Sequence, residues 1–311
     1  MRILAPKGAE ATSVFGWDKD GCELIVGVRD GRIVKVDLQG NIVQVLYEME
    51  DQENEVSFIY AMSPTGEWIA SLVGYGFHDY ASYEFQDLEV IVIEGQKKIR
   101  LTKSGGVKGF SWSPDGLLLA YSNKDSNGIP QLFISEPEGA GRLQLTHFTD
   151  PDAKIFSPSW SPDGSKIAFQ LESPNKGGSL FIIYLNDNLK MKRYDLSGGS
   201  IWWPDLTVIG LTGYYKEPGS SVYIDGIKWI DINTGKIRHF VSESKLPGDQ
   251  IYTKPFGITG RIGFFSDNNT FYIYDVQKQK IIAHSDFASD LLIKDWNPAP
   301  GTFPGEANCT R

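Results

Sequence analysis

Trp112-Ser113-Pro114-Asp115-Gly116 and Trp160-Ser161-Pro162-Asp163-Gly164 are one pentapeptide met twice. Its surroundings repeat with it. An apolar run leads into each Trp, and a second follows the turn (Leu117 to Tyr121; Lys166 to Phe169). After a polar hairpin comes a third run (Gln131 to Ile134; Ser179 to Tyr184), and in the first copy a fourth, Arg142 to Thr146. Four short strands per unit follow from this pattern. The turn chemistry agrees: Pro fixes φ at the second position, Asp bonds nearby backbone at the third, and Gly tolerates the exit geometry at the fourth, the residue order of a tight type I turn.

Weaker copies surround the clear ones. Phe15-Gly16-Trp17-Asp18-Lys19-Asp20-Gly21 keeps the aromatic and the Gly, and Tyr60-Ala61-Met62-Ser63-Pro64-Thr65-Gly66 exchanges Trp for Met and Asp for Thr. Ile201-Trp202-Trp203-Pro204-Asp205 lacks the Ser, Phe256-Gly257-Ile258-Thr259-Gly260 keeps little but Gly, and Asp295-Trp296-Asn297-Pro298 begins like a repeat and stops. Spacings of roughly 38 to 55 residues suit one four-stranded propeller blade with variable loops.

The order Trp-Ser-Pro-Asp-Gly, Lys-Ile-Ala-Phe, Leu-Phe-Ile and Leu-Gln-Leu-Thr resembles the TolB-type β-propeller repeat, a relative of the WD repeat. Residues 107–185 match it closely, 12–106 moderately and 200–311 in outline. The resemblance implies an all-β fold, a six-bladed propeller of four-stranded antiparallel blades filling residues 1–311 as one domain, with the ring closed by the termini. Similar repeats occur in the propellers of oligogalacturonate lyases and of prolyl-oligopeptidase relatives. The motif speaks for the fold and hardly for function.

Blade geometry sets further expectations. Neighbouring blades cover both faces, so inner strands should lack strict apolar and polar alternation, as Gly106 to Trp112 and Lys154 to Trp160 do. Trp17, Trp112, Trp160 and Trp203 should wedge between blades. An open ring would leave sheet edges at the junction, so Arg2-Ile3-Leu4-Ala5 is a candidate outermost strand for the closing blade. Leu291 to Trp296 looks like an innermost strand. A seventh blade would need two more strands from Asn297 to Arg311, a stretch with three prolines and no alternation. Six blades are therefore expected, with 297–311 an irregular tail; seven with an incomplete last blade is the alternative.

Composition bounds the partners. Hydrophobic residues at 41% and aromatics at 13% are ample for a packed core. No run of eighteen or more apolar residues offers a membrane span. A net charge of -9 argues against nucleic acid, whose affinity rests on Lys and Arg at phosphates. The densest basic groups, Lys97, Lys98 and Arg100, and Lys190, Lys192 and Arg193, read as solvated outer strands. Met1 to Lys7 carries no secretory signal. The resemblance implies an extracytoplasmic location, periplasmic or secreted, with the signal absent from this sequence; a cytoplasmic location stays open. Cys22 and Cys309 could close nearly the whole chain as a disulfide or remain two free thiols.

Chemical motifs are sparse. There is no Gly-x-Ser-x-Gly elbow, no Gly-x-x-x-x-Gly-Lys loop and no His-Glu-x-x-His helix. His78, His147, His239 and His284 fall in different repeats without ligand spacing, and no metal, cofactor or catalytic residue is assigned. Asn123 to Gly128 half-matches a calcium loop, but its twelfth position is Ile134, so a hairpin turn is the better reading.

The stronger signal is an insertion. Gly74 to Asp87 links the second and third strands of the second repeat, with five aromatics, a His and three acids. A second long link, Gly213 to Tyr223, should sit on the same rim. Aromatic faces beside carboxylates and a His stack on sugar rings or anchor peptides; packing under a long loop is the bland alternative. The candidate binding residues are Tyr75, Phe77, His78, Asp79, Tyr80, Tyr83, Tyr214 and Tyr215. The expected function is a non-enzymatic module binding a protein, peptide or glycan at the loop rim. The rival is a carbohydrate-active lyase or hydrolase with a polar site in the central channel.

Overall fold

A computed structural model of the chain describes residues 11–17, 23–28, 32–37, 39–48, 55–75, 86–93, 97–174, 177–196, 198, 201–202, 206–216, 223–239, 251–252, 261–266, 270–275 and 280–286. Among them every regular element is a β-strand, and the strands form four-stranded sheets in which chain order is spatial order and each described pairing is antiparallel. The first sheet holds β1 (Ala11–Trp17), β2 (Leu24–Val28), β3 (Arg32–Val36) and β4 (Ile42–Glu48). The second holds β5 (Glu55–Met62), β6 (Trp68–Tyr75), β7 (Gln86–Val92) and β8 (Lys97–Arg100). The third holds β9 (Phe110–Trp112), β10 (Leu119–Lys124), β11 (Pro130–Ser135) and β12 (Leu143–Gln144). The fourth holds β13 (Lys154–Trp160), β14 (Lys166–Ser173), β15 (Gly177–Tyr184) and β16 (Lys190–Tyr194). The fifth holds β17 (Ile201–Trp202), β18 (Val208–Lys216), β19 (Tyr223–Asp231) and β20 (Ile237–His239), and the sixth β21 (Ile251–Tyr252), β22 (Arg261–Ser266), β23 (Thr270–Asp275) and β24 (Lys280–Asp286).

The repeated turn has the same hydrogen bonds each time. Gly116 N–H donates to Ser113 O at 2.9 Å and Ser113 N–H to Leu118 O at 2.8 Å. The Ser113 hydroxyl donates to Asp115 Oδ1 at 2.5 Å and accepts from Leu118 N–H at 2.9 Å. In the next sheet Ser161 Oγ donates to Asp163 Oδ1 at 2.6 Å and accepts from Lys166 N–H at 2.9 Å. The weaker copy keeps the scheme, with Thr65 Oγ1 3.0 Å from Ser63 Oγ and Trp68 N–H donating to Ser63 Oγ at 3.1 Å. Gly66, Gly116 and Gly164 all hold φ near +70°, at 73°, 73° and 70°, the left-handed region in which a Cβ is costly.

Packing explains which strands lose alternation. The apolar stretches of β7, β10 and β15 are buried on both faces, because one face of their sheets packs on the sheet before and the other on the sheet after; β2 of the first sheet is buried along its whole length as well. Ala70, Leu72, Leu88 and Val90 of the second sheet meet Leu119, Tyr121 and Phe133 of the third. Ala120 and Leu132 of the third meet Ile155, Phe169 and Phe181 of the fourth, and Ala168, Leu180 and Ile182 of the fourth meet Ile209, Leu211 and Ile230 of the fifth. Each fully buried aliphatic side chain contributes about 1.5–3 kcal/mol of transfer free energy. The first strands are less uniformly buried than expected, as β13 shows; the doubly covered strands are the middle two.

Trp112 and Trp160 end the first strands of their sheets and are buried in the seams toward the preceding sheets, as wedges should be. Trp112 Nε1–H donates to Ala61 O across its seam at 2.9 Å. Trp17 ends β1 in the same way; its side chain and Trp203 lie outside the described residues, as do Arg2 to Ala5, Cys22, Leu291 to Trp296 and 297–311 with Cys309.

Three expectations need correction. The long link at 213–223 is shorter: Tyr214 pairs with Asp225, Tyr215 with Ile224 and Lys216 with Tyr223, so both tyrosines belong to a strand and only 217–222 connect β18 to β19. Thr212 and the two tyrosines are residue types that favour continuing the ladder over opening a loop. The second strand of the third sheet starts at Leu119, because Ser113 closes the turn onto Leu118 and leaves Leu117 exposed. Lys98 and Arg100 are not merely solvated: both bind Glu89, a β7 carboxylate buried to 1% exposure, Lys98 Nζ at 2.8 Å from Oε2 and Arg100 Nη2 and Nε on Oε1. The second basic group is the outer strand expected, mostly exposed along β16.

Candidate functional site

Antiparallel order divides each sheet's connections between two rims. Connections between first and second and between third and fourth strands lie at one end. Those between second and third strands, with the crossover to the next sheet, lie at the other. The glycines show that the turns of one rim stand side by side: a Cβ on Gly116 would meet Thr65 Cγ2 at 2.8 Å and Thr65 N at 3.0 Å, and one on Gly164 would meet Pro114 Cδ at 3.9 Å. The 76–85 connection, between β6 and β7, leaves from the opposite end of its sheet.

Of the sequence-derived candidates, Tyr75 is the last residue of β6, paired with Glu55, and Gly74 pairs with Gln86 at the start of β7. The side chain of Tyr75, and Phe77, His78, Asp79, Tyr80 and Tyr83 altogether, lie outside the described residues. Tyr214 and Tyr215 sit near the end of β18, at the corresponding end of the fifth sheet.

The root of the 76–85 connection is firmly built. Asp87, 3% exposed, accepts Thr102 Oγ1–H at 2.8 Å and Gly105 N–H at 3.0 Å through Oδ1. Thr102 Oγ1 in turn accepts Leu88 N–H at 2.9 Å, while Val107 N–H donates to Gln86 O at 3.0 Å. The third sheet repeats the device with an amide: Thr146 Oγ1 donates to Gln131 Oε1 at 2.8 Å and accepts Leu132 N–H at 2.9 Å, and Phe148 N–H donates to Gln131 Oε1 at 2.9 Å. A Leu-Thr pair after the fourth strand thus locks the crossover to the start of the third strand. Sequence reading quoted Leu-Gln-Leu-Thr as a repeat feature but gave its Thr no role; an acidic or amide residue at the head of the third strand is the partner that would have revealed it.

The Asn123–Gly128 segment is the hairpin expected. Asp125 Oδ1 accepts Asn127 N–H at 2.8 Å and Ile129 N–H at 3.0 Å, and Gly128 turns at φ 79°. These bonds, led by the one from Ile129, hold the Asp125 carboxyl below its ordinary range. Among the described residues no group of three or more His, Cys, Asp and Glu is placed to hold a metal ion, and no helix is long and apolar enough to cross a membrane.

No family model matches the chain, and no curated protein matches it. Solved structures do. An oligogalacturonate lyase from Vibrio parahaemolyticus aligns with a TM-score of 0.64 at 13% identity, covering 85% of this chain and 77% of that one. An oligogalacturonate lyase in complex with manganese aligns with a TM-score of 0.59 at 11% identity, covering 81% and 72%. The β-propeller domain of the Trilobed protease from Pyrococcus furiosus aligns with a TM-score of 0.50 at 13% identity, covering 75% and 71%. TolB of Agrobacterium tumefaciens is also similar, at a TM-score of 0.46 and 16% identity, over 74% of this chain and 80% of that one. The fold is a β-propeller. Its TolB-like character is carried by the Trp-Ser-Pro-Asp-Gly repeat and the turns it builds.

Proposed function

We propose that this propeller is a non-enzymatic, six-bladed binding module that recognises a protein, peptide or glycan partner at the rim carrying residues 76–85. Closure is supported by the first sheet: one face packs on the second sheet through Ile25, Ile33 and Leu46, yet the other, Leu24, Val26, Val28, Val34 and Val36, is buried as well. A terminal blade in an open row would expose that face.

The observation carrying the binding role is the contrast between connections on one rim. Those at 125–129 and 101–107 bond polar groups internally, and the sequence of 76–85 adds Phe77, Tyr80, Tyr83, His78 and Asp79 next to a clamped root. A rigid base beneath aromatic side chains lowers the ordering cost of binding. Replacing Tyr75, Phe77, Tyr80 and Tyr83 with Ala should abolish capture of the native partner by immobilised protein while the unfolding temperature holds. Undiminished capture by that folded variant rejects this rim.

The second reading, a carbohydrate-active enzyme with a channel site, is favoured by the oligogalacturonate lyase neighbours. Against it stands a net charge of -9 facing a polyanionic substrate. Incubating the chain with trigalacturonate and manganese and following ultraviolet absorbance separates the two: unsaturated product establishes the lyase, and a flat trace leaves the binding module.

A further inference from the structure

The rim opposite residues 76–85 carries its own groove, of about 390 Å³, between the third and fourth sheets. Its walls are apolar: Leu118, Ile134 and Leu143 on one side, Leu185 and Leu189 on the other. Leu143 is 49% exposed, and Leu117, beside the same turn, 61%. Large aliphatic side chains left in water beside a concavity mark a contact surface better than scattered singles do.

Two carboxylates flank the groove, one from each Ser-Pro-Asp-Gly turn. Asp115 has no cation against it among the described residues; Asp163 Oδ2 accepts Ser165 Oγ–H at 2.7 Å, with Lys166 Nζ at 3.9 Å. The inner wall adds a third feature. Trp160 lines the groove with its Nε1–H buried and without an acceptor, although Trp112, its counterpart one sheet earlier, donates to a carbonyl.

We propose that this groove seats a short peptide segment in which an apolar side chain adjoins a lysine or arginine. The aliphatic walls take the apolar side chain, and Asp115 and Asp163 take the cation. The volume suits two residues, within the range of small-ligand sites. This inference is independent of the 76–85 rim.

The test uses the intact chain and N-acetyl-Leu-Lys-amide as probe, with N-acetyl-Leu-Glu-amide as counter-probe, followed by the Trp160 indole N–H resonance identified with Trp160→Phe. A saturable shift with the Lys probe is expected, at least fivefold weaker with the Glu probe. Asp115→Asn combined with Leu143→Ser, both at the surface, should weaken it at least fivefold. The Tyr75, Phe77, Tyr80 and Tyr83 alanine variant should respond as wild type does. No saturable shift, equal response to both probes, indifference to the double variant, or a shift driven by protein concentration alone would each overturn the proposal, the last two in favour of another site and of a second copy of the chain.

Discussion

The turn residues carry more of this fold than their number suggests, because each works through one or two countable contacts. Burial raises the Asp163 carboxyl, and the hydrogen bonds from Ser161 and Ser165 with the Lys166 charge outweigh it, leaving the pKa at about 2 against 3.8. A depressed carboxylate contributes stability that is complete above the unfolded pKa of 3.8 and is lost as pH falls through about 2. The side chain is 38% exposed, so after discounting for solvent screening the contribution is about 1 kcal/mol. Asp163→Asn should therefore cost about 1 kcal/mol in urea unfolding at pH 7, and the gap from wild type should close as the pH approaches 2. Gly116 offers a sharper comparison. Its Cβ would strike Thr65 at φ +73°, while Gly128, at φ +79°, has open space around it. Gly116→Ala should cost about 2–3 kcal/mol and Gly128→Ala about 1 kcal/mol, by the same measurement.

At the scale of strands and crossovers, the Leu-Thr clamp is the device to test. Thr146→Val keeps shape but leaves buried Gln131 short of a donor; Thr102→Val does the same to the Asp87 carboxylate. Losses of about 2 kcal/mol for Thr146→Val and more for Thr102→Val are expected in urea unfolding, since a hydrogen bond lost from a charged group costs more than one lost from an amide. The clamp also shows why legibility varied along the chain. Ser-Pro-Asp-Gly could be read because a turn is local and its residue types are few. The partner of Thr102 lies across the sheet at Asp87, and no local pattern marks a contact at that distance. The bounds of the 213–223 link were misread for the opposite reason: Gly213, Pro218 and Gly219 suggest a loop, but the ladder to Ile224 and Asp225 continues past Gly213. Glu89 was invisible too. A buried carboxylate in a middle strand contradicts the apolar pattern, and only the fold brings Lys98 and Arg100 to it.

At the scale of the whole molecule, the repeat count pointed to a ring before any contact was known, because a blade cannot bury both faces alone. The aromatic content of the insertion could be read, but the identity of a partner could not, since composition names a chemistry and not a ligand. The proposed closure has an energetic consequence. Val34, on the first sheet's far face, is as fully buried as Val90 in a seam between two sheets, both at 0%. Val34→Ala and Val90→Ala should then cost alike, about 2 kcal/mol each; a loss below about 0.5 kcal/mol for Val34 alone would mean an open edge. The most direct test of the closed ring is small-angle X-ray scattering from the intact chain. A ring of this length should give a radius of gyration of about 20 Å with a single-peaked distance distribution, and a value above about 25 Å with a long tail would contradict it.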